Sequence, residues 1–180
     1  MKAMIRVPPL VGVVIVMTGC LLLFAGCATT SPGASFAASL PAEKRLDSND
    51  SVTVDVQSAE SVAIIDQERQ RLAQSIKMKV DQLKMANPGG RDARQYHLAV
   101  LLTRYDKGNA FARAMLAGLG QIHIDARVAV YAMPQKARVA DFTVNKTFAW
   151  GGIYGASQSI DDVEQGFAEG VAEAVTKSDE

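Results

Sequence analysis

The sequence predicts an α+β two-layer sandwich: one mixed sheet of about four strands with helices chiefly on one face. Three observations carry that prediction. Alternating or continuous apolar stretches recur around 52–56, 98–102, 122–130 and 140–150, the pattern of strands. Two longer stretches instead repeat apolar residues every three or four positions, the pattern of helices. The segments follow one another as strand, helix, strand, short helix, two adjoining strands and helix, so only the adjoining pair reads as a hairpin.

In chain order, Val52, Val54 and Val56 alternate with Thr53 and Asp55, a half-buried strand. Ser58 and Ser61 are candidate N-caps for the next helix. Its apolar stripe is Val62, Ile65, Leu72, Ile76, Val80 and Leu83, with Glu68, Arg69, Arg71, Lys77, Lys79, Asp81 and Lys84 placed for water. Asn87-Pro88-Gly89-Gly90 stops it. The helix is long enough to suggest a coiled-coil seam, but Arg69 and Lys79 interrupt the heptad, which favours packing on its own sheet. Leu98, Val100, Leu101 and Leu102 form a nearly continuous apolar run, as in a strand covered on both faces. A turn at 105–109 leads to a short small-residue helix at 110–119, closed by Gly118 and Gly120. Ile122, Ile124, Val128 and Val130 alternate with polar neighbours, and Ala140, Phe142, Val144, Phe148 and Trp150 share one phase of the next strand. Pro134-Gln135-Lys136-Ala137 joins the two. Ser159 caps the last helix, with Asp161, Asp162 and Glu164 near its positive end and Ile160, Val163, Phe167, Val171 and Val175 as its buried stripe.

Ahead of the domain lies a leader. Lys2 and Arg6 precede an apolar run at 10–24, and Ala25 and Gly26 stand directly before Cys27. Charge, apolar core and small residues in that order are a secretory leader. The apolar run is short of the roughly 20 residues a spanning helix needs, and Pro8 and Pro9 break its beginning. Cys20 is a second candidate for lipidation, but cleavage there would leave Leu21-Leu22-Leu23-Phe24 at the mature start. Cys27 is followed by polar and small residues that suit a tether. The expected organisation is therefore a signal peptide at 1–26, a lipidated flexible tether at 27–45 and one globular domain at 46–180. An Ala-, Ser-, Thr-, Pro- and Gly-rich tether of that length spans roughly 25 Å on average and about 60 Å when taut.

Composition narrows the function. Removing Lys2 and Arg6 with the leader takes the 19 basic residues to 17 against an unchanged 19 acidic, net −2. A near-neutral chain without clustered Lys and Arg argues against nucleic acid as a partner. Both cysteines lie in the leader region, so the mature domain has neither a disulfide nor a thiolate metal site. His97 and His123 lack a second ligand at metal-binding spacing. Asp106, Asp125 and Asp141 are carboxylates near turns or on strands, without further signs of catalysis. Gly118-Leu119-Gly120 follows a helix, the wrong order for a dinucleotide loop. The glycine turn at 151–155 lacks the Lys-Ser/Thr of a phosphate loop. Neither a metal nor another cofactor is expected.

One local conflict remains. Lys146 shares a strand phase with Phe142, Val144, Phe148 and Trp150, so its amine needs an anion, an aromatic face or a route to water. It either snorkels from a strand end or joins Trp150 and Tyr154 in a recognition patch beside the glycine turn. Arg104, Asp106, Asn109 and Arg113 form a second polar cluster, whose default is internal pairing.

Arg104-Tyr105-Asp106-Lys107-Gly108-Asn109-Ala110, Gly118-Leu119-Gly120 and Lys146-Thr147-Phe148-Ala149-Trp150-Gly151-Gly152 together resemble a family of Gram-negative lipoproteins known as a domain of unknown function, DUF4410. The Ala25-Gly26-Cys27 ending similarly resembles a lipobox, whose thiol takes a diacylglycerol. These resemblances imply an outer-membrane lipoprotein facing the periplasm, because Ala28 is not the Asp that retains lipoproteins at the inner membrane. They imply acylation, palmitate included, and supply no catalytic residue. The expected function is a non-catalytic binding or assembly module of the cell envelope, contacting the membrane through its lipid and an envelope protein or cell-wall material through its domain. Two rival classes are an enzyme or small-ligand receptor built on the turn at 151–155, and a subunit of an envelope export or ring complex.

Overall fold

A computed structural model describes residues 33–38, 40–90, 92–115, 120–148 and 159–177. The elements are β1 (Gly33–Ala38), β2 (Ser51–Ser58), α1 (Asp66–Lys84), β3 (Gln95–Asp106), α2 (Ala110–Met115), β4 (Ile122–Met133), β5 (Ala137–Phe148) and α3 (Ile160–Thr176). The strands form one sheet in the order β1-β5-β4-β3-β2. The β2–β3 pair is parallel, with α1 as its crossover, and the other three pairs are antiparallel. This is the expected α+β sandwich, with a fifth strand.

Period-two alternation settles which face is buried. Val52, Val56, Leu98, Val100, Leu102, Ile122, Ile124, Val128, Val130, Phe142 and Val144 point to one side, where α1 and α3 pack side by side. Leu72, Ile76 and Val80 from α1 meet Phe167, Val171 and Val175 from α3 above that face. Each of these larger side chains contributes on the order of 2 kcal/mol by leaving water. The opposite face is not covered by any described element. Leu101 on that face is 39% exposed, so β3 is covered on one side rather than on both, contrary to its apolar run.

The expected tether is shorter than its composition suggests. Residues Gly33–Ala38 pair with β5 as an edge strand, and the Phe36 ring lies 5.3 Å from that of Phe142. Leu40 and Leu46 are buried. Backbone pairing at an open edge, one aromatic anchor and two leucines hold a stretch of otherwise indifferent propensity. A polar clamp completes the attachment. Asp50 accepts hydrogen bonds from the Arg94 backbone N–H and guanidinium, which also donates to the Glu43 and Arg45 carbonyls. The Tyr96 hydroxyl donates to the Lys44 carbonyl, and Asn87 bridges the Leu46 and Thr176 carbonyls.

Helix α1 begins at Asp66, later than the stripe implies. Ser58 ends β2, Val62 N–H closes a turn on the Ala59 carbonyl, and Ile65 precedes the helix with 59% of its surface exposed. Neither Ser58 nor Ser61 caps α1; the Glu68 carboxylate accepts the Ile65 N–H instead. Ser159 does cap α3, exchanging hydrogen bonds with Asp162. The turn between β4 and β5 places Lys136 at φ 56°, a left-handed conformation.

Candidate functional site

The uncovered sheet face is built from rows that cross four strands. One row runs Thr53, His97, Tyr131, Arg138; the next Asp55, Ala99, Ala129, Asp141; the third Gln57, Leu101, Arg127, Thr143. Ala99 and Ala129 face each other at the centre, and their small side chains leave a shallow hollow of about 300 Å³. Asp55, Gln57, Leu101, Arg127, Arg138 and Asp141 wall it. Gln57 donates to Asp55 at 2.9 Å, and Arg138 pairs with Asp141. The two acidic walls stand three strand spacings apart, roughly 14 Å. That is too wide for carboxylates sharing one bond-breaking step. Mixed charge around an apolar floor with an exposed leucine suits docking of a surface rather than capture of a small molecule.

Both histidines lie on this face and are half-buried. The Thr53 hydroxyl meets His97 Nδ1 at 3.1 Å, and the Thr147 hydroxyl meets His123 Nδ1 at 3.0 Å. Burial, helped by the Arg104 charge, holds the His123 imidazole below its ordinary pKa. Among the described residues no cluster of His, Cys, Asp and Glu has the makings of a metal site.

A second polar constellation lies under the helices. Glu164, with 3% of its side chain exposed, accepts two hydrogen bonds of 2.9 Å from Arg71 and one of 2.6 Å from the Tyr105 hydroxyl. Arg71 also meets Asp161 at 2.9 Å, and Lys107 meets Glu68 at 2.6 Å. Burial and then the Glu164 bond push the Tyr105 phenol up, while the Glu164 bond raises the Arg71 guanidinium. The Lys107 bond holds Glu68 below the ordinary carboxylate range. These groups brace α1, α3 and the end of β3; they satisfy one another rather than a ligand. A bulge between Leu102 and Arg104 makes the brace, because it shifts the strand phase and turns Tyr105 inward.

Those residues singled out from sequence that are described do not converge. Cys27, Trp150, Tyr154 and the glycine turn at 151–155 lie outside the described residues, as does the side chain of Arg113. Lys146 is on the helix-covered face, its stem beside Gly166 of α3. Arg104 and Asp106 pair with Asp125 and His123 of β4 and so belong to the opposite face. Arg104 and Asp106 form an ion pair of 3.6 Å, Asp106 accepts the Gly108 N–H, and Asn109 accepts the Ala112 N–H at the start of α2. Arg104, Asp106 and Asn109 are thus spent on local structure. Glu68 and Arg71, expected in water, serve the brace instead. Glu164 carried a legible signal: it falls in phase with Phe167, Val171 and Val175, an acid on a buried stripe.

The family model for a domain of unknown function, DUF4410, matches residues 37–152. The chain belongs to the DUF4410 family. The match covers β2 to β5, beginning at the end of β1 and ending before α3. No curated protein matches the chain. Among solved structures, the fold is similar to PelC from Paraburkholderia phytofirmans, which forms a dodecamer. Two crystal forms, one of a single-substitution variant, align with a TM-score of 0.51 over 82% of this chain and 99% of that one, at 14% and 10% identity. A candidate lipoprotein from Caulobacter crescentus aligns over 67% of this chain and 82% of its own, at 15% identity and a TM-score of 0.38. Identities this low speak to the fold alone. No described helix is long and apolar enough to cross a membrane.

Proposed function

We propose that this chain is a lipid-anchored envelope protein of the outer membrane, with its domain facing the periplasm, and that it docks another envelope protein on its open sheet face without catalysing a reaction. The observation that carries the reading is the one-sided sandwich. Helices cover one face, while the other offers a hollow floored by Ala99 and Ala129 and walled by both charge signs. The leader ending at Cys27 supplies the anchor. Several acyl chains at about 0.8 kcal/mol per buried methylene hold a protein firmly without a basic patch.

Two measurements test it. Palmitate labelling of the chain and of Cys27→Ser checks the anchor, and unchanged partitioning without loss of label would sink it. Crosslinking in intact cells, comparing the chain with Ala99→Arg and Ala129→Arg, checks the face. The arginines fill the hollow without entering the core, so a specific crosslinked envelope protein should be lost while the melting temperature holds. Crosslinks unaffected by both substitutions would refute docking there.

A second reading has support of its own. The fold is similar to that of PelC, a dodecamer, which favours self-assembly of this chain into a ring or export-complex subunit. Sedimentation of the lipidated protein in detergent separates the two: a monomer removes the ring reading, and a discrete large oligomer makes a second copy the partner.

A further inference from the structure

Helix α2 is unlike the other two described helices. The long helices bury an apolar stripe, α1 leaving Met78 66% exposed on its outer side, whereas α2 turns two large apolar side chains outward together: Phe111 is 74% exposed and Met115 is 67% exposed. The residues are four apart, so they stand on one face of the helix. Among the described residues no other element packs extensively on α2. Its start is nonetheless fixed, by the Asn109 cap and by the Asn109 N–H donating to the Gly120 carbonyl.

The sheet register says what lies opposite this pair. Gly33, Asn145, Asp125 and Arg104 form a single row across β1, β5, β4 and β3. The chain therefore enters the sheet at Gly33, at the same end where β3 runs out through Asp106 into α2. Three strand spacings, roughly 14 Å, separate the two positions across the sheet. Only six residue steps separate Gly33 from Cys27, at most about 20 Å when fully extended. A lipid on Cys27 thus holds this end of the domain, and not the β4–β5 turn at the other end, close to the bilayer.

We propose that α2 is a membrane contact, with Phe111 and Met115 seated among the lipids into which Cys27 is anchored. The inference rests on the lipid-anchor reading above and adds an orientation to it. Lipid is the occupant that the chain geometry brings to this pair, because an apolar pair beside a tethered bilayer gains by leaving water. The contact rests on the apolar pair rather than on the two cations at the end of β3. Lys107 and Arg104, the basic residues flanking α2 on the β3 side, are engaged by Glu68 and Asp106.

The test uses the full lipidated chain in vesicles of phosphatidylethanolamine, with an environment-sensitive fluorophore on Met115→Cys or, at the distal turn, on Lys136→Cys. Both natural cysteines lie in the leader region and Cys27 is blocked by acylation, so the introduced thiol alone is labelled. The probe at 115 should shift to the blue and lose emission to spin-labelled acyl chains, the probe at 136 should do neither, and adding Phe111→Ser should reduce the shift. A probe at 115 that stays water-like on a chain carrying its acyl label and bound to vesicles overturns the inference and leaves the anchor standing. A blue shift already present on the unacylated Cys27→Ser chain in buffer means that protein covers the pair, which also overturns it. A chain that neither takes up acyl label nor binds vesicles removes the anchor reading and this inference with it.

Discussion

Replacing Asp50 by Asn tests the polar clamp that Asp50 and Arg94 form between the start of β2 and the start of β3. The Asp50 side chain is fully buried and receives four donors. The Arg94 backbone N–H and Nε reach Oδ1 at 3.0 Å, while an Arg94 terminal nitrogen at 2.6 Å and the Asp47 N–H at 3.0 Å reach Oδ2. Asparagine keeps one acceptor but turns the other into an NH₂ that faces two donors. Breaking a buried pair costs about 3–5 kcal/mol. Arg94 retains two carbonyl partners and a quarter of its side-chain exposure, which places the loss near 3 kcal/mol, or a fall in melting temperature of roughly 10 °C for a domain of this size. Burial alone would raise the Asp50 pKa, but the Arg94 bonds, the Asp47 N–H and the Arg94 charge outweigh it and hold the group below its ordinary 3.8. A depressed pKa stabilises fully above the ordinary value and ceases to do so as pH falls through the folded one. Urea melts of the chain and of Asp50→Asn should therefore differ most near neutral pH and converge below 3.8. A difference under about 1 kcal/mol at neutral pH, or one that persists unchanged in acid, would refute the clamp.

Three further substitutions follow from the same reasoning. Leu46→Ala removes a side chain with 0% exposure from the first residue after the expected tether; it should cost about 2–4 kcal/mol, and a neutral effect in urea melts would refute its place in the core. Tyr105→Phe deletes the 2.6 Å bond to Glu164 but leaves Arg71 in place, for a loss of about 2 kcal/mol. Because the Tyr105 pKa is raised, its contribution is complete below the ordinary phenol value of 10 and is lost as pH climbs past it. Alkaline melts of the two proteins should thus converge, and the latest-titrating of the four tyrosines in 295 nm absorbance should vanish in the variant. Gly166→Ala adds a Cβ that would meet Lys146 Cε at 2.8 Å, a flexible tip that can move aside. Helix propensity favours alanine by up to about 1 kcal/mol, so the melting temperature should hold or rise slightly. A clear fall would mean that Lys146 is locked against α3.

The sheet and both long helices were legible because their apolar residues keep a constant period. Ile122, Ile124, Val128 and Val130 face the helices as the alternation requires, and Val163, Phe167, Val171 and Val175 bury as the stripe requires. What escaped lies where the period breaks or where burial is decided elsewhere. The bulge before Arg104 moves Tyr105 to the buried side, and a one-residue phase shift leaves no mark in composition. Gly33–Ala38 has weak strand propensity and exists because β5 offers an open edge and Phe142 a surface for Phe36. The apolar run at 98–102 implied two covered faces, since alternation cannot show that Leu101 meets no partner within the domain. The polar cluster at Arg104, Asp106 and Asn109 was visible, as was its default: the side chains shape the turn into α2. The hollow was not legible, because it depends on Ala99 and Ala129 arriving opposite each other from strands 30 residues apart.

Tethering at Gly33 and lipid contact at α2 together fix how the open face would stand. Strands β3, β4 and β5 have 12 residues each, so under this proposal they would rise roughly 40 Å from the bilayer at about 3.3 Å per residue. The open face then looks sideways along the membrane rather than down at it. Ala129 lies seven residues beyond Ile122, which sets the hollow roughly 23 Å above the lipid end. A partner seated there is one held beside the domain at that height, such as another anchored protein or a neighbouring copy. Under this reading the contact at α2, not the tether, sets the height. Lengthening the 28–32 stretch with a few Gly and Ser residues should leave lipid quenching of a probe at 115 and the partner crosslink unchanged. If the tether alone positions the domain, the same insertion frees it to tumble, and both signals fall together.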